Sequence, residues 1–417
     1  MNEATPLFTN DAVVLGILMA TLALIFITAN SKNPGWQKFY TYVPSLLLCY
    51  FIPSIYNSSG LISGDVSNLY FVASRYLLPA SLVLLTLSID LKGIINLGPK
   101  AIIMFFAGTA GIMIGGPVAI LIISVISPDV LAGAGPDEVW RGLSTIAGSW
   151  IGGGANQTAM FEIFEPSAEL FSAMVTVDIL VANLWLAFLL YGAGISDRID
   201  GWFKADSSAI TEVRKKIENY RAEIAKIPTL TDITSIVAIA FVITAIGHLG
   251  ADIIVPYIEQ NAPSLSDLSL NSKFFWIIVI ATTGGLLLSF TRARNLEGAG
   301  ASKIGSLFLY VLVMTIGMQM DVLAIFSSPG YFVIGLIWIL IHVTILLTVA
   351  KLIKAPFFFV AVGSQANVGG AASAPIVASA FHPALAPVGV LLAVFGYAVG
   401  TYAAMVTAWL MQFVSYL

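Results

Sequence analysis

The stretch GSWIGGGANQ, Gly148 to Gln157, interrupts a chain otherwise dominated by apolar runs. Three successive glycines, Gly152, Gly153 and Gly154, break a helix, while Asn156 and Gln157 carry amides that lipid cannot satisfy. A second stretch, GSQANVGGAAS from Gly363 to Ser373, repeats the theme around Gly369 and Gly370. Irregular backbone of this kind persists at membrane depth only where protein or a water-filled cavity pairs it. The surroundings decide whether a membrane is involved.

Of the 417 residues, 58% are hydrophobic and 10% charged, and the mean hydropathy is +0.92. Soluble domains carry about 25% charged residues, so the composition predicts an all-α polytopic membrane protein. DAVVLGILMATLALIFITA, AIIMFFAGTAGIMIGGPVAILIISVI and YFVIGLIWILIHVTILLTVA each approach the roughly 20 residues that span a bilayer core. The first lacks a basic leader and a small-residue cleavage site, and reads as a retained helix. Ten spans follow from the apolar runs, at 11–30, 41–57, 70–90, 101–127, 168–193, 231–256, 273–290, 303–322, 331–351 and 384–412. Two Gly-rich elements, 143–167 and 357–381, are left over.

Charge placement sets the expected topology, because Lys and Arg of short loops collect on the cytoplasmic side. With both termini outside, all but three of the nineteen basic residues fall inside. The exceptions are Arg75, Arg141 and Lys273. That sorting holds only if the element at 143–167 enters and leaves on the same side. About 25 residues at 1.5 Å each are too few for two full crossings, yet enough for two half-helices meeting mid-membrane.

The first Gly-rich element is therefore expected to be a re-entrant hairpin. Five crossings plus a hairpin invert the second half. TLSIDLKGI (from Thr86) and TIGMQMDVL (from Thr315) end the third span of each half, and GS opens both Gly-rich elements. The expected organisation is a first repeat over 1–196, a cytoplasmic linker over 197–229 and an inverted second repeat over 230–417. Each repeat holds five transmembrane helices and one Gly-rich re-entrant hairpin. Within the linker, Ile210, Val213, Ile217, Tyr220 and Ile224 form the stripe of an amphipathic surface helix.

An inverted repeat with broken helices is the mark of a secondary transporter. Half-helices that begin beyond each turn point a positive dipole end at the membrane centre, where an anionic group is favoured. Asn156 and Ser373 are positioned to cap them. Ser149, Asn156, Gln157, Thr158, Ser364, Gln365, Asn367 and Ser373 supply donors and acceptors for a solute, and exposed carbonyls can ligate Na⁺. Glycine with serine also suits plain helix packing; the amides at both breaks favour a site.

Asp178, near the middle of a span, costs about 2.5–3.5 kcal/mol on insertion scales and is a candidate for coupling Na⁺ or H⁺. A structural hydrogen bond to a neighbouring hairpin is the alternative. His342 reads as a neutral packing histidine with no partner evident in the sequence. The solute expected is small and anionic or an amino acid, driven by Na⁺ or H⁺; the runner-up is a cation/proton antiporter using Asp178.

Other classes find little support. The single Cys49 excludes an internal disulfide and a cysteine metal cluster. There is no basic patch for nucleic acid and no phosphate-binding Gly-rich Lys-Ser/Thr loop. No HExxH occurs, and GASK at Gly300 lies at a basic edge, so neither an enzyme nor a cofactor is expected. The partners expected are a small solute, a coupling cation and the lipid bilayer.

GSWIGGGAN, RARNLEGAGASKIGSLFLY and SQANVGGAASAP resemble a bacterial membrane family known only as a domain of unknown function. Its hairpins read GS-x-x-GG-x-x-N and N-A-N-x-GG-x-x-x-A, and the likeness runs along essentially the whole chain. Gln365 stands where that pattern has Asn. More distantly the architecture is similar to the sodium–glutamate symporters, whose own loop signature is not reproduced. The resemblance implies an elevator-type homodimer in the bacterial cytoplasmic membrane with Na⁺ coupling. It puts Ser149, Asn156, Ser364, Gln365 and Asn367 in the solute and ion region.

Overall fold

The structure is a computed structural model that describes residues 6–43, 45–64, 66–205, 210, 227–262, 270–319, 329–382 and 385–417. The stripe of the linker helix beyond Ile210 lies outside the described residues. Within them the chain is helical and has no strand.

Helix α1 spans Asp11–Ala29, capped by the Asn10 side chain on Ala12 N. A short α2 (Pro34–Tyr42) and α3 (Ser45–Ser58) follow. The fourth, α4, runs Leu69–Leu87 and carries a π-turn over Ala73–Leu77. A π-turn leaves a carbonyl without its usual partner. Here His248 Nε2 meets the Arg75 carbonyl at 2.9 Å, and since a carbonyl only accepts, that nitrogen carries the proton. After α5 (Leu91–Asn96) the long α6 occupies Pro99–Ile126.

Helix α7 covers Val139–Phe164 but is broken at Gly153, whose φ is 72° and ψ −174°. The chain turns back there. Arg141 Nη1 donates to the Phe164 carbonyl at 2.7 Å, and Ser167 N to the Pro136 carbonyl at 2.9 Å. The two ends of the segment thus meet. Helix α8 (Ala168–Gly194) starts at the Ser167 cap, and α9 (Ser196–Phe203) follows directly.

The second half opens with α10 (Leu230–Asn261), held by a Thr229–Asp232 capping box. Helix α11 (Lys273–Ser289) then bends by 95° into a 3₁₀ turn over Arg292–Ala299. Next come α12 (Ala301–Gly317) and α13 (Pro329–Ile353). A second break separates α14 (Phe357–Val368) from α15 (Gly370–Phe381), and α16 (Ala386–Ser415) completes the fold. The start and end of this pair also lie together, with the Phe358 and Phe381 rings 5.3 Å apart.

All ten apolar runs contain a helix. Seven of these are long and apolar enough to cross a membrane, or eight with the bent pair counted as one span. The other runs give shorter helices. Helix α3 has 14 residues with Pro53 inside, while α11 and α12 have 17 each. Of the longer helices, α7 exposes no residue at all, whereas the others bury one side against the bundle and leave apolar residues such as Leu24, Phe188, Leu249 and Leu340 exposed on the other.

Candidate functional site

The two glycine breaks face one another. A Cβ placed on Gly370, where φ is +57°, would lie 3.8 Å from Gly153 Cα. Both positions need positive φ, which L-residues rarely adopt and glycine takes freely. Of the expected turn residues, Gly153 and Gly370 make the turns; Gly369 has φ −115°. Around this meeting point the structure collects most of the polar residues singled out in the sequence.

Asn156 does not cap the half-helix beyond its turn. Its amide donates to the Gly152 carbonyl (3.1 Å) and to the Tyr397 carbonyl of α16 (2.9 Å). Its oxygen accepts from the Thr401 hydroxyl at 2.5 Å. Asn367 repeats this device on α6. It donates to the Gly363 carbonyl (2.8 Å) and the Phe105 carbonyl (3.1 Å), and accepts from Thr109 at 2.8 Å. In each case the threonine lies four residues beyond the accepting carbonyl. Both amides have spent their two donors within the protein.

Asp178 on α8 is buried and accepts from both limbs of α7, Trp150 Nε1 at 2.7 Å and Gln157 Nε2 at 2.8 Å. Ser149 is a further hydrogen-bonding neighbour of this carboxylate. Thr158 bonds back to the Gly154 carbonyl at 2.8 Å. The carboxylate therefore ties α8 to the fold-back at two points.

At the second break, Ser373 does not cap α15 either, since that helix has no side-chain cap bond; it accepts from Gln365 Nε2 at 2.6 Å. Gln365 Oε1 is buried with no hydrogen-bond partner among the described residues. Ser364 links two residues that sequence reasoning left out of the site. Trp185 Nε1 donates to its hydroxyl at 2.8 Å, and the hydroxyl meets His342 Nε2 at 2.8 Å. His342 Nδ1 faces the Gly108 carbonyl at 3.0 Å and must carry a proton. The indole takes one acceptor site of the Ser364 oxygen, which leaves the serine proton free to point at Nε2. This chain of bonds suits a neutral histidine protonated at Nδ1. His342 thus has partners, on helices too distant in sequence to be recognised.

At one end of the bundle, Arg75, Arg141 and Lys273 line a single cavity of about 610 Å³ with His248 and Glu165. These are the three exceptions to the charge sorting. Each is matched by a carboxylate: Arg75 by Glu162 (2.8 Å), Arg141 by Glu138 (3.0 Å) and Lys273 by Asp252 (2.5 Å). Glu162 also holds the Tyr70 hydroxyl. The start of α1 and the end of α16 reach this end, through Ser67 to Asp11 (2.7 Å) and Tyr416 to Glu138 (2.8 Å). Among the described residues no group of three His, Cys, Asp or Glu side chains could hold a metal ion.

Comparison with known sequences matches residues 16–414 to DUF819, a family described as proteins of unknown function. The chain belongs to the DUF819 family. This DUF819 protein is 24% identical over 350 residues to the uncharacterized membrane protein YjcL of Bacillus subtilis (strain 168), across 81% of this chain and 82% of that one. That relative is named a membrane protein, and this DUF819 chain, with several long apolar helices, is a multi-pass one.

Proposed function

We propose that the protein is a secondary active transporter. It moves a small anionic organic solute or amino acid, coupled to Na⁺ or H⁺, by an elevator-type motion within a homodimer of the bacterial cytoplasmic membrane. The observation that carries this proposal is the tip-to-tip meeting of two broken helices at Gly153 and Gly370. Broken backbone deep in a membrane protein is tolerated where it serves a polar cargo, and transporters place such breaks at the midplane.

In this proposal the two fold-backs are re-entrant hairpins of an inverted pair of repeats. The solute meets the backbone at the glycine tips and the side chains of Gln365, Ser373 and Thr158. The two asparagines hold the tips in place. Asp178 joins the coupling ion to the first tip, because it already contacts both limbs. The protein does no covalent chemistry and needs no cofactor.

The test is uptake into liposomes holding purified protein, with labelled organic acids and amino acids offered under an imposed Na⁺ or H⁺ gradient. At least one solute should accumulate, and a bulky substitution, Gly370→Val, should stop it while the protein stays folded. Cation flux linked to pH without any solute would move the protein to the antiporters. Rapid flux that ignores both gradients would make it a channel.

A further inference from the structure

The RARN segment at Arg292–Asn295 takes no part in the site above. Its place in the fold gives it another use. Helix α11 ends at Ser289 and the chain bends by 95° into the 3₁₀ turn. The segment therefore runs nearly across the axis of an apolar helix, and its charged side chains share one depth. It faces α5, and between them lies a cavity of about 590 Å³ lined by Lys92, Arg292, Arg294 and Asn295 with Phe290 and Ile95.

The charges are unbalanced. Arg294 is held by Asp90 at 2.6 Å. The other nearby carboxylate, Glu297, is occupied by Ser88 (2.5 Å) and the Ser302 hydroxyl (2.7 Å). Lys92 and Arg292 have no ion-pair partner among the described residues. Beside the cations the surface turns apolar, with Leu287 62%, Phe290 63% and Ile95 60% exposed. Cations in a cleft beside exposed apolar side chains match an amphiphile with an anionic head. Basic pockets between membrane helices bind phospholipid headgroups on these terms.

We propose that this cavity binds the phosphate of an anionic phospholipid. Lys92, Arg292 and Arg294 hold the phosphate, and the acyl chains lie along Leu287, Phe290 and Ile95. A phosphate takes a guanidinium in a two-pronged grip and an ammonium as a point charge, so this residue set suits it. The site is independent of the transport proposal and stands or falls without it.

The test uses full-length protein in nanodiscs of phosphatidylcholine, with or without phosphatidylglycerol. Phosphatidylglycerol should raise the melting temperature, as any ligand of the native state does. The double variant Lys92→Gln/Arg292→Gln should lose that rise. Its melting temperature in phosphatidylcholine alone should stay unchanged, because both side chains are exposed and unpaired. A control pair, Lys32→Gln/Lys38→Gln, removes two exposed cations elsewhere and should keep the rise. Equal loss in the control would replace the site by diffuse attraction and overturn the proposal. So would a rise from soluble glycerol phosphate matching that from the lipid, since the ligand would then come from solution. No rise with phosphatidylglycerol in the unaltered protein would also end it.

Discussion

At the residue scale the protein spends its buried polar groups in pairs. Asn156 and Asn367 each close three hydrogen bonds, two to a long helix and one to a carbonyl of their own segment. Replacing either by alanine removes both bonds to the partner helix and leaves the threonine hydroxyl its own carbonyl four residues back, at 3.2 Å in each case; lost net hydrogen bonds of this kind cost about 0.5–1.5 kcal/mol each. Asn156→Ala and Asn367→Ala should therefore lower the melting temperature by similar amounts, and both should lose transport. A variant with unchanged melting would remove the clamp. Asp178→Asn behaves differently. Its new amide would face Gln157 donor to donor unless Gln157 flips, after which the Tyr50 hydroxyl of α3, 3.5 Å from Gln157 Oε1, can accept from it. The fold should survive, while any stabilisation by Na⁺ should vanish. A melting curve in Na⁺ against choline decides; a persisting Na⁺ response leaves Asp178 as a tie between α8 and the fold-back. The sequence singled out Asp178 and both asparagines because amides and carboxylates are expensive in apolar spans. A bond from Asp178 to the neighbouring fold-back was legible as an alternative, but the partners of the asparagines were not, since Tyr397 lies 241 residues from Asn156 and Thr109 lies 258 from Asn367.

At the scale of elements, the glycine breaks differ in how badly they need glycine. Gly153, with φ 72° and ψ −174°, occupies backbone space that is essentially glycine's alone, where another residue costs about 1–3 kcal/mol. Gly370 has φ +57°, in the left-handed range that alanine enters at about 1–2 kcal/mol. Gly153→Ala should destabilise more than Gly370→Ala, as read by thermal unfolding. The start of α14 is anchored by Asp200 of α9, which accepts the Phe357 N–H at 2.6 Å. Burial pushes the Asp200 carboxyl above its ordinary value, against the opposing pull of that N–H. The folded state then holds the proton more tightly than the unfolded chain. The associated stability is complete below the ordinary carboxylate range and is lost as pH rises through the raised value. Asp200→Asn keeps an acceptor and does not titrate, so its melting temperature should fall less than the unaltered protein's from acidic to neutral pH. Parallel curves would remove Asp200 from the balance. Apolar run length located the helices, but not the 95° bend after α11 or the π-turn in α4, which leave no mark on hydrophobicity.

At the scale of the whole molecule, charge sorts by end. Arg75, Arg141 and Lys273 share one cavity near the start of α1 and the end of α16, whereas Lys351 lies over the Trp202 ring of α9 at 4.6 Å, at the far ends of α13 and α8. In the proposed transporter, the positive-inside tendency would place α9 in the cytoplasm and the opposite end of the bundle outside. Gly201 on α9 has open space around it. Gly201→Cys, with buried Cys49 replaced, should resist an impermeant thiol reagent on intact cells and react once they are opened. Labelling of intact cells would reverse the orientation.

The clamps on the two breaks also run across the chain, and this bears on how the protein is made. The first fold-back depends on Thr401 of α16, 245 residues further along the chain than Asn156. At about 5–20 residues per second the ribosome takes roughly 10–50 seconds to supply it. For that interval the turn and the Asn156 amide exist without the helix that pairs them, although Gln157 finds Asp178 only 21 residues further on. The second fold-back has no such wait, because α6 with Thr109 is already in place when Asn367 emerges. The two breaks are thus built on unequal terms: the later one docks onto a finished wall, and the earlier one stands open until the last helix arrives.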